Sequence, residues 1–453
     1  MTESRLHVPS ALQASFGGVL CEPQSGGYEE LRRVHNGLID RHPALIARCS
    51  GTADVIDAIE FARDAGAEIA VRGGGHNVAG RATGNGVVID LSMMRGVHVD
   101  ARRRLIHAGP GTTWRELDRA AHLARLATPG GTVSSTGVAG LTLGGGIGYL
   151  SPRFGLAADN LVEAEVVTAD GRILVAAEDA DADLLWALRG GGGNFGVVTH
   201  FVLQAHPLAT VLGGLVAYSF SDAASVLAAF RTSAESASDE VGVLCALVHS
   251  PDGSGAKLAA LPICHCGGDE QRAESEVKEF RGIAAPAFDL IERMPYPMMN
   301  TLLDGGFPRG TLNYWKSTYL LGLPADAIGA LVAAYERVPS PMTALVVEYC
   351  HGAMTRVAPD ATAFPHRSRG YNVLIAGQWT DPADTAANIS WTKETFDSLR
   401  PWAADACYVN YLSEDDARRT HSAYGPNHER LVELKRRYDP TNLFRLNQNI
   451  DPG

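Results

Sequence analysis

The segment Val71-Arg72-Gly73-Gly74-Gly75-His76-Asn77 sets one imidazole directly behind three residues that lack a β-carbon. Consecutive glycines let backbone amides approach a ligand closely and admit φ > 0. A bare row of N–H groups suits an anion such as a pyrophosphate, and Arg72 adds a cation beside it. His76 is then held at a fixed distance from whatever molecule carries the anion. The same residues also suit a surface loop ending in a satisfied histidine, so the choice rests on the rest of the chain.

A second glycine-rich region spans residues 130–161 and includes Val133, Thr136, Gly137, Gly140, Leu141, Gly145 and Gly146. So many glycines cost backbone entropy on folding, and a close-fitting planar ligand supplies a reason for carrying them. Gly191, Gly193 and Gly196 spell a formal G-x-G-x-x-G, the dinucleotide fingerprint. Its context is inverted, because a helix-like stretch over 182–188 precedes it and a strand over 197–203, containing Val198, follows. The nicotinamide reading is therefore rejected.

Glu348 stands inside the apolar run 343–350, where a carboxylate needs a partner or a purpose unless the strand is an edge facing water. Tyr408 and Tyr411 frame Val409-Asn410, and Asn447 and Asn449 alternate in an apolar frame near the C-terminus. Asparagines so placed suit contacts to a ligand edge as well as capping and turn roles. Cys264-His265-Cys266 has the residue types of a metal site but no second pair at ligand spacing, and no metal is expected.

These groups must be positioned by a mixture of helices and strands. Residues 52–66 read as an amphipathic helix with Thr52 as N-cap and Gly66 just past its end. Strands are expected at 68–71, 86–91 and 104–108, and Thr113 with Glu116 forms a capping box opening a helix to about 126. Asp170-Gly171 marks a hairpin. Helices are expected at 326–337 and 427–438, the latter stopped by Asp439-Pro440. The fold class is α+β.

The 453 residues are 45% hydrophobic and 20% charged, with a net charge of −12. No basic stripe appears, which argues against nucleic-acid or anionic-membrane partners and for a small molecule. Residues 1–7 lack a basic stretch leading into a long apolar core, and no later segment reaches membrane length, so a cytoplasmic location is expected. Seven scattered cysteines fit reduced thiols better than a disulfide framework. The sequence is silent on oligomeric state.

Residues 41–49, 72–77, 140–161, 189–199, Trp315-Lys316-Ser317 and the tail 439–452, occurring in this order, resemble the covalent flavoproteins of vanillyl-alcohol-oxidase or PCMH type, in particular the berberine-bridge-enzyme-like branch. The resemblance covers nearly the whole chain. It implies a two-domain architecture: an FAD-binding domain of PCMH type over 1–208, completed by the returning segment 406–453, and a substrate domain over 209–405 whose antiparallel sheet is flanked by helices. It also implies covalent FAD, with His76 bonded to the flavin 8α-methyl carbon. The cofactor set would be His76 with Arg72, Gly73, Gly74, Gly75, Asn77, Val133, Thr136, Gly137, Gly140, Leu141, Gly145, Gly146, Val198, Asn447 and Asn449.

Many relatives make a second flavin bond through a cysteine at the position of Val133, so a single histidyl link is expected here. The oxidase branch uses a tyrosine of a Tyr-x-Asn-Tyr strand as base, which favours Tyr411, with Tyr408 and Glu348 in reserve. His351 replaces the first of two glycines usual before Ala353-Met354. The implied activity is oxidation of a small alcohol, amine or natural-product intermediate by hydride transfer, with O2 as acceptor and H2O2 as product. Val133, Thr136 and Leu141 also match the oxygen pocket of relatives that work as flavin-N5-oxide oxygenases, which keeps that alternative open. A non-catalytic flavin-binding protein is the third reading.

Overall fold

A computed structural model describes residues 6–453; residues 1–5, part of the stretch read for a leader, lie outside it. The first half builds two main sheets and a two-stranded pairing of Leu126–Ala127 with His206–Pro207. Leu45–Arg48, Val87–Asp90 and Ile69–Arg72 run parallel, with Val19–Cys21 added antiparallel at one edge. The helix Thr52–Asp64 covers this sheet, burying Val55, Ala58, Ile59 and Ala62 against Leu45, Ile69, Val87 and Ile89. Its N-cap is Gly51 rather than Thr52. The Thr52 hydroxyl donates to Glu165 instead, at 2.8 Å, while the Asp54 carboxylate accepts from the backbone N–H of Ser50 and Gly17. A first-turn aspartate that reaches back in this way ties the preceding chain to the helix start and places its negative charge at the positive end of the helix dipole.

The second sheet is antiparallel, in the order Val97–Asp100, Leu105–Ala108, Val197–Gln204, Leu161–Val167 and Ile173–Ala177. Gly171, at φ 83°, turns the Asp170-Gly171 hairpin. The capping box forms as read, with Thr113 N–H donating to Glu116 at 2.8 Å ahead of the helix Trp114–Leu123.

A large antiparallel sheet follows, in which Thr210–Ser219, Lys257–His265, Val241–His249, Ala344–Cys350, Gly370–Trp379 and Leu312–Leu320 are consecutive neighbours. Strand alternation sends Val243, Leu345 and Val373 to one face, against Phe230, Val277, Leu331 and Trp391 of four helices. Leu244, Val346 and Leu374 go to the other face. Glu348 lies on a central strand between two hydrogen-bonded neighbours, and is 6% exposed, so the edge-strand reading fails.

The same alternation separates Cys264 and Cys266, packed near Tyr149, from His265, whose Nε2 lies 3.0 Å from Glu276. Among the described residues no helix is long and apolar enough to cross a membrane.

The C-terminal segment returns to the first half. Cys407, Val409, Leu412, Leu431 and Ile450 join the core of Trp114, Leu184, Phe195 and Phe201. The Tyr-x-Asn-Tyr segment is a 3-10 turn, Val409–Tyr411, and not a strand. The helix His428–Tyr438 is anchored by a fully buried pair: Lys435 Nζ donates to Asp439 at 2.6 Å, to the Asn194 carbonyl at 2.8 Å and to the Phe444 carbonyl at 3.0 Å. Asp439 in turn accepts from the N–H of Leu443 and Phe444. Removing one partner strands the other charge without water. Lys435→Met should lower unfolding free energy by about 3–5 kcal/mol, read as a reduced urea midpoint, whereas breaking the half-exposed Arg430–Asp183 pair should cost about 0–1 kcal/mol.

Candidate cofactor and substrate site

A cavity of about 300 Å3 opens between the two glycine loops, the inner face of the large sheet and the C-terminal turn. Its wall includes Gly73, Gly74, Gly75, His76, Asn77, Val133, Thr136, Gly137, Gly140, Leu141, Val198, Glu348, Tyr408, Tyr411 and Asn447, all singled out in the sequence. The glycines serve packing as well as ligand approach. A β-carbon on Gly74 would stand 2.5 Å from the backbone of Gly137, and one on Gly73 2.8 Å from the Pro110 carbonyl. The two glycine loops therefore interlock backbone to backbone. Gly140 and Gly193, also on the wall, face open space.

Four expected residues lie off the wall. Arg72 directs its guanidinium to the carbonyls of Ala82 and Leu31 and towards Asp90, 3.8 Å away, so it braces the loop from behind. Arg81 takes its place on the wall, with its Nε buried and unpartnered. Gly145 and Gly146, at φ 117° and 83°, pack against Phe364 and Ala157, and the Gly146 N–H donates to the Tyr408 hydroxyl at 2.9 Å. Asn449 is off the wall because the chain turns its neighbour Gln448 inward instead.

Arg81 and Gln448 escaped the sequence reading. A signal for Arg81 was Asn77, whose side chain caps the turn by accepting the Arg81 N–H at 3.1 Å. His351, stacked on Tyr349, donates from Nε2 to the Val241 carbonyl, 3.0 Å away, and does not reach the wall.

His76 stacks on His35, ring centroids 3.7 Å apart and planes 24° from parallel. The ring is only half-buried by area because it faces the cavity, yet its Nε2 is sealed from solvent and has no partner. Dense surroundings and the His35 imidazole push its pKa down to about 3, and burial takes His35 to about 4. Both rings are neutral at pH 7. Nothing near His35 in sequence signals this contact, which joins residues 41 positions apart.

At the sheet end, Tyr411 donates to Glu348 Oε1 at 3.0 Å and Asn372 donates to Oε2 at 2.6 Å. Burial raises the Glu348 pKa to about 7 despite both donors. Burial and the Glu348 carboxylate hold the Tyr411 phenol well above its usual range. The Tyr408 oxygen accepts from Gly146 N–H and from Asn410 Nδ2, both at 2.9 Å, but burial still lifts it to about 12. The turn carrying both tyrosines is clamped from the sheet by Lys316, whose Nζ lies 2.7 Å from both Asp415 and Asp416, and by the edge of Trp315 against Tyr411, centroids 6.1 Å apart.

The wall has the features that a dinucleotide with a planar ring system needs. It is a glycine-lined trough with a half-buried cation and with orphaned polar atoms on His76, Asn447 and Gln448. Comparison with known proteins agrees. Residues 43–177 match the family model "FAD binding domain" and residues 407–451 the model "Berberine and berberine like". The chain is 31% identical to (R)-6-hydroxynicotine oxidase of Paenarthrobacter nicotinovorans over 461 aligned positions, covering 99% of each. It is 29% identical to aclacinomycin-N/aclacinomycin-A oxidase of Streptomyces galilaeus, covering 94% of this chain and 88% of that one. The solved structure of 6-hydroxy-D-nicotine oxidase from Arthrobacter nicotinovorans superposes with a TM-score of 0.89 at 28% identity, covering 99% of this chain and all of that one.

Proposed function

The chain belongs to the berberine-like family of FAD-linked oxidoreductases, and on that footing we propose that it is an oxidase whose FAD is bonded through His76 and whose substrate is oxidised beside Glu348. The observation that carries this reading is one cavity holding a neutral, unpartnered imidazole among glycines at one end and a carboxylate titrating near neutrality at the other.

A neutral imidazole keeps a lone pair on one of its ring nitrogens, which bonding to the flavin 8α-methyl carbon would require. The flat His35 face holds the His76 ring plane, and burial keeps both rings unprotonated. Arg81 supplies charge for the diphosphate, with the amides of Gly73–Gly75 and the amide side chains of Asn447 and Gln448 as further contacts. Bound there, FAD would supply a two-electron acceptor for hydride that O2 can reoxidise.

The protein's own part at the sheet end is proton handling. Tyr411 is the base favoured by the sequence reading, but a phenol held above its usual range is protonated at pH 7 and its hydrogen already points to Glu348. Glu348 is the better acceptor for the substrate N–H or O–H proton, with Tyr411 and Asn372 orienting it. Tyr408 pins the Gly144–Ile147 loop to the turn. Leu244, Val346 and Leu374 keep water from the reacting carbon.

Val133, Thr136 and Leu141 stand together on the wall, and this grouping favours the second reading, an oxygenase that leaves one atom of O2 in the product. All seven cysteines are buried and none lines the cavity. Tryptic mapping of the purified protein should therefore find one flavin-bearing peptide, the one containing His76; a flavin mass on any cysteine peptide refutes the single link.

A further inference from the structure

We infer that the substrate is a ring-bearing, otherwise apolar molecule with a single hydrogen-bond donor, an amine or a hydroxyl, on the carbon that is oxidised, and that saccharides are excluded. The inference rests on the oxidase reading of the cavity and narrows it to a substrate class.

Cross-strand register fixes the wall that meets the substrate. Leu244 stands directly opposite Glu348, and Glu348 opposite Asn372; one rank along, Val346 stands opposite Leu374. Period-two alternation puts both ranks on the cavity face. The upper rank offers one carboxylate beside a leucine, and the lower rank offers only aliphatic carbon.

Aromatic rings complete the enclosure. Phe307 meets Trp315 edge to face, centroids 5.9 Å apart, and Trp315 meets Tyr411 in the same manner at 6.1 Å. Such a frame presents ring edges and faces suited to another ring.

The polar atoms of the aromatic frame, on Trp315 and Tyr411, are already engaged. Trp315 Nε1 donates to Asn313 at 3.2 Å, and the Tyr411 hydroxyl donates to Glu348. At this end of the wall one carboxylate with spare lone pairs remains, since the unpartnered Asn372 Oδ1 lies off the wall, and it matches one donor on the ligand. A polyhydroxylated ligand would bury hydroxyl after hydroxyl against Leu244, Val346 and Leu374 without partners. Among the described residues Glu348 is also the only acid on the wall, and Arg81 lies at the glycine end, so a carboxylate ligand would meet like charge at the sheet end.

The test uses the flavin-loaded protein without oxygen and four probes: naphthylmethylamine, the isosteric naphthylmethanol, its methyl ether, and chitobiose. Binding is read from the shift in flavin absorbance and turnover from flavin bleaching. The amine or the alcohol should bind about 10- to 100-fold more tightly than the ether, the range expected for a hydrogen bond to a charged group, and at least about 100-fold more tightly than chitobiose. Glu348→Gln should retain the preference for the naphthyl ring over the sugar but shrink the preference over the ether.

Naphthyl probes that shift the spectrum without bleaching it support the substrate class and count against the oxidase reading. Chitobiose that binds or bleaches while the naphthyl compounds do neither overturns the class and leaves the oxidase reading intact. Failure of every naphthyl probe to bind overturns the class as well.

Discussion

Purified His76→Ala protein should lose all of its flavin to the supernatant when denatured in acid, where wild type should keep a yellow pellet. The effect is all-or-none because a covalent bond is either present or absent, whereas the remaining contacts are hydrogen bonds that denaturation breaks. No other imidazole can substitute. His35 stacks behind His76 rather than lining the cavity, and the seven cysteines are buried elsewhere. His35→Phe should preserve the stack and the link, and this variant separates loss of a ring contact from loss of the bonding nitrogen. Flavin retained in the His76→Ala pellet would place the link on another residue.

The second large effect belongs to Glu348. Glu348→Gln keeps the shape and the Asn372 and Tyr411 neighbours but removes the proton acceptor, so flavin reduction by substrate should slow about a hundred- to ten-thousand-fold, the range of general-base contributions. The covalent flavin should be unaffected. Burial disfavours the charged carboxylate and raises its pKa to about 7, so the acceptor form is lost as pH falls. The wild-type reduction rate should therefore climb with pH through about 7 and level off above it, and Glu348→Gln should lack that limb. Tyr411→Phe should be milder, since it removes one donor to the carboxylate and not the acceptor. Removing that donor should also move the limb to higher pH. A Tyr411→Phe defect larger than that of Glu348→Gln would return the base role to the phenol.

Much of the site is legible in the sequence because local chemistry announces it. A glycine triplet before His76, a second glycine region around Thr136 to Leu141 and a carboxylate in the run at Glu348 are each unusual for a stretch that only has to fold, and each reaches the cavity wall. The capping box at Thr113 and the hairpin at Asp170-Gly171 are set by residues within a few positions, and both form.

What escapes is set by distance along the chain or by sub-residue detail. Arg72 and Arg81 have the same side chain, and the carbonyls of Ala82 and Leu31 decide which of them faces inward. Asn449 and Gln448 differ by one step of backbone direction, which composition does not encode. Gly145 and Gly146 read as ligand contacts, yet their conformations are demanded by Phe364, Ala157 and Tyr408, residues up to 263 positions away. The 3-10 turn at Val409–Tyr411 reads as a strand because alternating aromatics mimic one, and the Lys316 clamp that fixes it comes from the far sheet. The depth of Glu348 in the sheet likewise depends on strand order and not on its neighbours in sequence.

On the oxidase reading, electrons taken from substrate beside Glu348 leave on O2 as peroxide and the product's oxygen never comes from O2. The direct measurement is turnover of a flavin-reducing substrate under ¹⁸O2, with the product weighed and peroxide quantified in the same vessel. An oxidase gives one H2O2 per product and an unlabelled product. Product carrying ¹⁸O, with the label lost on Thr136→Val, would contradict it and assign the chain to the oxygenases.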